Sequence, residues 1–92
     1  MTTDPDKLRV RLEELNTGLE KFDRNLEQDL KDLQMAWARV NRVWEGGAYQ
    51  EFVGSWNGIV GQMQEYVDQS RKFEAFLDER IEALRRFTQG GL

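Results

Sequence analysis

The sequence predicts an all-α fold, an antiparallel two-helix hairpin (helix-turn-helix) that dimerises into a four-helix bundle. Three observations predict it. Two long runs place apolar side chains at steps of three and four residues, and a glycine pair separates the runs near the middle of the chain. The only proline, Pro5, stands at the start of the first run, where it interrupts nothing.

Residues 1–92 read as a single hairpin domain, with helix one expected over about residues 5–44. Thr3 or Asp4 can cap the free backbone N–H groups, and Pro5 suits the first helical position because its missing N–H would have no partner there. Asp6 adds negative charge at the positive helix end. From there Leu12, Leu15, Leu19, Phe22, Leu26, Leu30, Leu33, Trp37, Val40 and Trp44 return at helical spacing, which assigns them to one face.

Residues 45–48, Glu45-Gly46-Gly47-Ala48, are expected to form the turn, since glycine accepts the backbone conformations that end a helix. Arg39 and Arg42 precede it, where cations suit the negative helix end. Helix two is expected over about residues 49–87, with Phe52, Trp56, Ile59, Met63, Tyr66, Ser70, Phe73, Leu77, Ile81 and Leu84 on its apolar face. Residues 88–92 read as a short tail.

Each stripe has one place where two four-residue steps adjoin, Phe22–Leu26–Leu30 and Phe73–Leu77–Ile81, and such stutters locally unwind a left-handed supercoil. Folding the chain about residue 48 brings the two stutters level, which supports antiparallel pairing. The outer faces carry opposite charges at helical spacing, as in Glu20 with Arg24, Glu27 with Lys31, Asp68 with Lys72 and Glu82 with Arg86.

Helix two has more apolar surface than one neighbour covers. Val53, Val60 and Val67 recur every seven residues beside the main stripe, followed by Phe76 and Ala83. A chain this short encloses little core alone, so a second hairpin packed two-fold against the first is the economical solution. Trp37, Phe52, Trp56, Ile59, Val60, Met63, Val67, Phe73 and Leu77 are accordingly assigned to the core or the dimer interface. Gly54, Gly58 and Gly61 each cost about 0.8 to 1.0 kcal/mol relative to alanine inside a helix, so a close helix approach near the turn is expected.

Composition excludes several functions. With no cysteine and no histidine, disulfides, thiolate sites and histidine-based catalysis drop out, and carboxylates such as Glu13 with Glu14 or Asp78 with Glu79 and Glu82 fall on polar helix faces. No enzyme activity and no cofactor or metal are expected. Both halves carry a slight acidic excess within a net charge of -4, so neither nucleic acid nor an anionic membrane surface is an expected partner. No stretch is long and apolar enough for a membrane span. Met1 to Asp6 lacks the features of a cleavable signal peptide, so any export is expected to use another route.

The segment Val43-Trp44-Glu45-Gly46-Gly47-Ala48-Tyr49-Gln50-Glu51-Phe52-Val53-Gly54-Ser55-Trp56 places Trp-x-Gly in the turn and follows it with Ala48, Phe52 and Trp56 at four-residue steps. In this it resembles the WXG family, the small Trp-x-Gly, ESAT-like proteins of type VII (ESX) secretion systems. The resemblance covers the whole architecture, while its specific motif covers residues 44–56. It implies a homodimer, or a heterodimer with a related WXG protein, that is cytoplasmic before export and then secreted folded by the type VII secretion ATPase, alone or with a larger secreted effector.

Within the family, the turn motif lies beside a Tyr-x-x-x-Asp/Glu signal of the partner, which makes Trp44 and Gly46 the matching recognition residues here. Tyr66 is followed at that spacing by Ser70, and Tyr49 by Val53, so the acidic half of the signal is not at either tyrosine. The resemblance then implies either a partner that supplies it or a role as escort or structural subunit. A non-exported coiled-coil adaptor is the alternative built from the same hairpin.

Overall fold

The computed structural model describes residues 4–89 and contains two helices, α1 (Pro5–Asn41) and α2 (Gly47–Gln89). The expected Thr3 cap and the last three residues of the expected tail lie outside the described residues.

The start of α1 follows from its capping chemistry. The Asp4 carboxylate accepts hydrogen bonds from the backbone N–H groups of Asp6 at 3.0 Å and Lys7 at 3.3 Å, while Pro5 takes the first turn. At its other end α1 stops three residues before the expected boundary. Val43 N–H bonds to the Val40 carbonyl at 3.0 Å in a tightened last turn, and the Arg42 side chain donates to the Ala38 carbonyl at 3.3 Å. Gly46 then adopts φ +106°, a conformation that strains any residue with a Cβ, and α2 begins at the next residue. Trp44 therefore sits in the connection and does not continue the stripe of α1.

Cross-helix contacts join low numbers to high ones: Glu13 to Arg85, Asn16 to Asp78, Asp23 to Ser70, and Trp37 to Trp56. The helices are antiparallel along nearly their whole length, in a rod of 70 × 20 × 19 Å.

The seam between them differs from the expected apolar stripes. On α2, Val53, Trp56, Val60, Met63, Val67, Ser70, Glu74, Leu77, Ile81 and Leu84 are buried or half-buried, an unbroken alternation of three- and four-residue steps. On α1, Leu12, Asn16, Leu19, Asp23, Leu26, Leu30, Gln34 and Trp37 form the matching row. The stutter of α1 falls at Leu26–Leu30–Gln34, and this row of α2 has none. Among the described residues the buried apolar side chains are Leu30, Val67, Leu77 and Ile81, and as many polar ones, Asn16, Asp23, Ser70 and Glu74, are buried with them. With polar groups holding the seam, Leu15, Phe22, Leu33, Ile59, Tyr66 and Phe73 stand exposed on its flank.

One flank of the seam is ionic. Arg85 reaches Glu13 at 2.8 Å, and Arg71 reaches Glu27 at 2.8 Å, tying α2 to α1 at two heights. Along α1, Arg9 pairs with Glu13 and Arg11 with Glu14, whereas the four surface pairs expected from spacing do not close among the described residues. These partly exposed pairs orient the helices more than they stabilise them.

The close approach expected at Gly54, Gly58 and Gly61 is absent within the hairpin: a Cβ built at any of them meets no atom within 4 Å. They lie on open faces of α2. Gly58→Ala is expected to stabilise the hairpin by about 0.8 to 1.0 kcal/mol through helix propensity alone, measured as a higher denaturation midpoint. A drop in midpoint would reveal that something packs closely on that glycine in solution.

Candidate interaction surface

The residue just before every second seam position faces the flank opposite the ion pairs. On α1 these are Leu8, Leu15 and Phe22; on α2 they are Phe52, Ile59, Tyr66 and Phe73, each seven residues after the last. The exposure of Phe22 is 53%, and Leu15, Ile59, Tyr66 and Phe73 are nearly as open. Across the two helices, the Phe22 and Tyr66 rings meet edge to face at 6.3 Å. Fully burying one such side chain stabilises by about 1.5 to 3 kcal/mol, so a row of them left in water is unsatisfied binding capacity. Contiguous apolar patches of this kind mark interaction sites on soluble proteins.

Toward the open end of the hairpin this flank deepens into a cleft of about 460 Å³. Leu8 and Leu12 form one wall; Phe76, Leu77, Ala83, Leu84 and Phe87 form the other. Among the described residues Arg80, whose guanidinium lies 5.2 Å from the centre of the Phe76 ring, is the single charged side chain lining it.

At the closed end the flank runs into an aromatic cluster. The Trp37 ring lies 5.1 Å from Phe52, 5.7 Å from Trp56 and 6.1 Å from Tyr49, while Trp44 folds back from the connection to lie 5.3 Å from Phe52 and 5.8 Å from Tyr49. Tyr49 also donates a hydrogen bond from its hydroxyl to Asn41. This cluster brings Trp44, Phe52, Trp37 and Trp56 together and leaves Trp44 half-buried above Gly46. Of the other residues assigned to core or interface, Val67 and Leu77 are buried in the seam, Val60 and Met63 are half-buried there, and Ile59 and Phe73 stand on the exposed flank.

Sequence reasoning missed the polar centre of the seam. Ser70 Oγ donates to Asp23 Oδ2 at 2.6 Å, and Asp23 is completely buried. Asn16 Nδ2 donates to Asp78 at 2.7 Å two seam positions further toward the open end. Burial, followed by contact with Asp23, pushes the Glu74 carboxyl up from its ordinary range. The hydrogen bond from Arg85, with Arg9 second, holds the Glu13 carboxyl below that range. The signal was present as Asn16, Asp23 and Glu74 at seam spacing, but leucines and phenylalanines one residue away offered a more apolar row.

Among the described residues no three acidic side chains gather in a metal-binding arrangement, and neither helix is long and apolar enough to cross a membrane. Compared with protein-family models, curated proteins and solved structures, the chain has no match.

The aromatic cluster generates a testable contrast. Trp37→Ala, which removes the ring touching three others, is expected to destabilise by about 3 kcal/mol, the low end for an aromatic core truncation; Trp44→Ala, which removes a half-buried ring touching two, is expected to destabilise by about 1 kcal/mol. Urea denaturation of both variants measures this, and equal losses would show that Trp44 is as much a part of the core as Trp37.

Proposed function

We propose that the protein acts without catalysis, as one half of a dimeric four-helix bundle, and that it is a WXG-type substrate or escort of a type VII secretion system. The observation that carries this reading is the exposed flank of Leu15, Phe22, Ile59, Tyr66 and Phe73, continuous with the aromatic turn. A flank contributed by both helices, apolar along the hairpin's length and opposite an ionic flank, fits a second helical hairpin better than a small ligand. The partner is a second copy of the chain or a related hairpin, in the symmetric arrangement common to small oligomers.

The secretion part rests on the turn. Trp44 is half-buried and held by Phe52 and Tyr49 beside Gly46, whose backbone conformation fixes the connection. A tryptophan presented in this way can be read by a partner while the fold persists, the position typical of an interface anchor. The same turn is what relates the chain to the WXG family. The secretion ATPase or a larger effector would then be its transient partner, and the chain would be cytoplasmic before export.

Expression in a bacterium with an active type VII system tests the proposal. The chain is expected in the culture medium only when the secretion ATPase is intact, and Trp44→Ala is expected to lower the exported amount several-fold while the amount inside the cell is maintained. Retention inside cells with an intact system would replace secretion by the role of a non-exported adaptor that uses the same flank.

A further inference from the structure

The centre of the seam contains a buried acid pair that the flank and the turn do not use. Asp23 of α1 and Glu74 of α2 are both buried, at 0% and 6% exposure. Asp23 Oδ2 accepts the Ser70 hydroxyl hydrogen bond at 2.6 Å, while Asp23 Oδ1, equally buried, has no donor. An orphaned buried carboxylate oxygen is costly, and a hydrogen-bonded neighbour is the usual remedy.

Each charged group facing this layer has been committed elsewhere or shared. From α2, Arg71 gives its Nε and Nη2 to Glu27 Oε1 at 3.1 and 2.8 Å, and shares only Nη1 between the two Glu74 oxygens, at 3.2 Å each. The guanidinium is thus divided between two carboxylates, Glu27 of α1 and Glu74 of its own helix. Two seam positions further toward the open end, beyond Leu19, Asn16 Nδ2 is directed to Asp78 and Glu20, so it brings no donor to Asp23. The two buried carboxyls, Asp23 and Glu74, thus share one hydroxyl and one guanidinium nitrogen, which leaves the layer short of donors.

We propose that Asp23, Ser70 and Glu74 form a proton-operated clasp: one proton held between the two carboxyls closes the middle of the hairpin, and its loss loosens the layer behind Phe22, Tyr66 and Phe73. The protonated Glu74 carboxyl donates its O–H to the orphaned Asp23 oxygen, and Ser70 satisfies the other. Arg71 then balances Glu27 and the remaining shared charge.

The direction of the pH dependence follows from the upward shift of Glu74, whose causes are burial first and Asp23 second. A carboxyl raised in the folded state contributes stability that is complete below its unfolded value and is lost as pH rises through the folded value. Glu13, held low by Arg85 and Arg9, acts in the opposite sense and only below the ordinary carboxylate range. The window above about pH 5 therefore isolates the clasp.

Thermal melts of the full chain at fixed concentration, followed by circular dichroism, test it. As the pH is lowered from about 8 toward the ordinary glutamate range, the Tm is expected to rise by a few degrees. Glu74→Gln, whose amide donates at every pH, is expected to flatten this rise and to melt above wild type at the alkaline end. A wild-type Tm that is flat or falls on acidification would overturn the clasp, and so would an undiminished rise in Glu74→Gln. Should that variant fail to fold, carbon-13 titration of the wild-type side-chain carboxyls decides: Glu74 is expected to titrate above the ordinary glutamate range, and a midpoint within or below it would overturn the proposal.

Discussion

The hydrogen bond between Ser70 and the fully buried Asp23 governs much of what surrounds it. A seam that holds Asn16, Asp23, Ser70 and Glu74 in its interior cannot also hold the phenylalanines and leucines beside them. The helices rotate so that short polar side chains meet across the axis, and Phe22, Tyr66 and Phe73 turn outward together. Buried polar residues in helical seams are well suited to fixing register, at a cost in stability. Here their second effect is to transfer apolar surface from the inside of the hairpin to its outside.

The two flanks then differ in character because of a single step in sequence. The residues following the seam positions Leu12, Leu26, Ser70 and Leu84 are charged, and Glu13, Glu27, Arg71 and Arg85 close across the seam. The residues preceding Asn16, Asp23 and Glu74 are Leu15, Phe22 and Phe73, which stand exposed. This asymmetry gives the hairpin one face that is finished and one that is incomplete. At the turn, Trp37 gathers Tyr49, Phe52 and Trp56 into a plug that ends the seam, and Trp44 sits over it from the connection.

The helices, the antiparallel pairing and the start at Asp4 were legible in the sequence, because capping residues and apolar periodicity are local signals. The rotation of each helix about its axis was less legible. Leu15, Phe22 and Phe73 lie one residue from Asn16, Asp23 and Glu74, and an apolar count prefers the former for the seam. Choosing between two faces about 100° apart requires knowing which cross-helix partners satisfy the polar groups, and Ser70 opposite Asp23 is a long-range fact. The end of α1 was set too late for a related reason: Trp44 fits the helical spacing, yet the tightened turn at Val43 and the positive φ of Gly46 take it off the helix. Gly54, Gly58 and Gly61 suggested a close approach that the hairpin itself does not make.

An outward flank of exposed phenylalanine, tyrosine and leucine calls for a cover. Sedimentation equilibrium at micromolar concentration, on the wild type and on a Phe22→Glu/Phe73→Glu double variant, measures this directly. The wild type is expected near twice the chain mass of 10.8 kDa, and the double variant near the single mass with its helical content retained, since neither substitution touches the polar seam. A wild type that is a stable, fully helical monomer would contradict the account, because it would show that the flank is content in water.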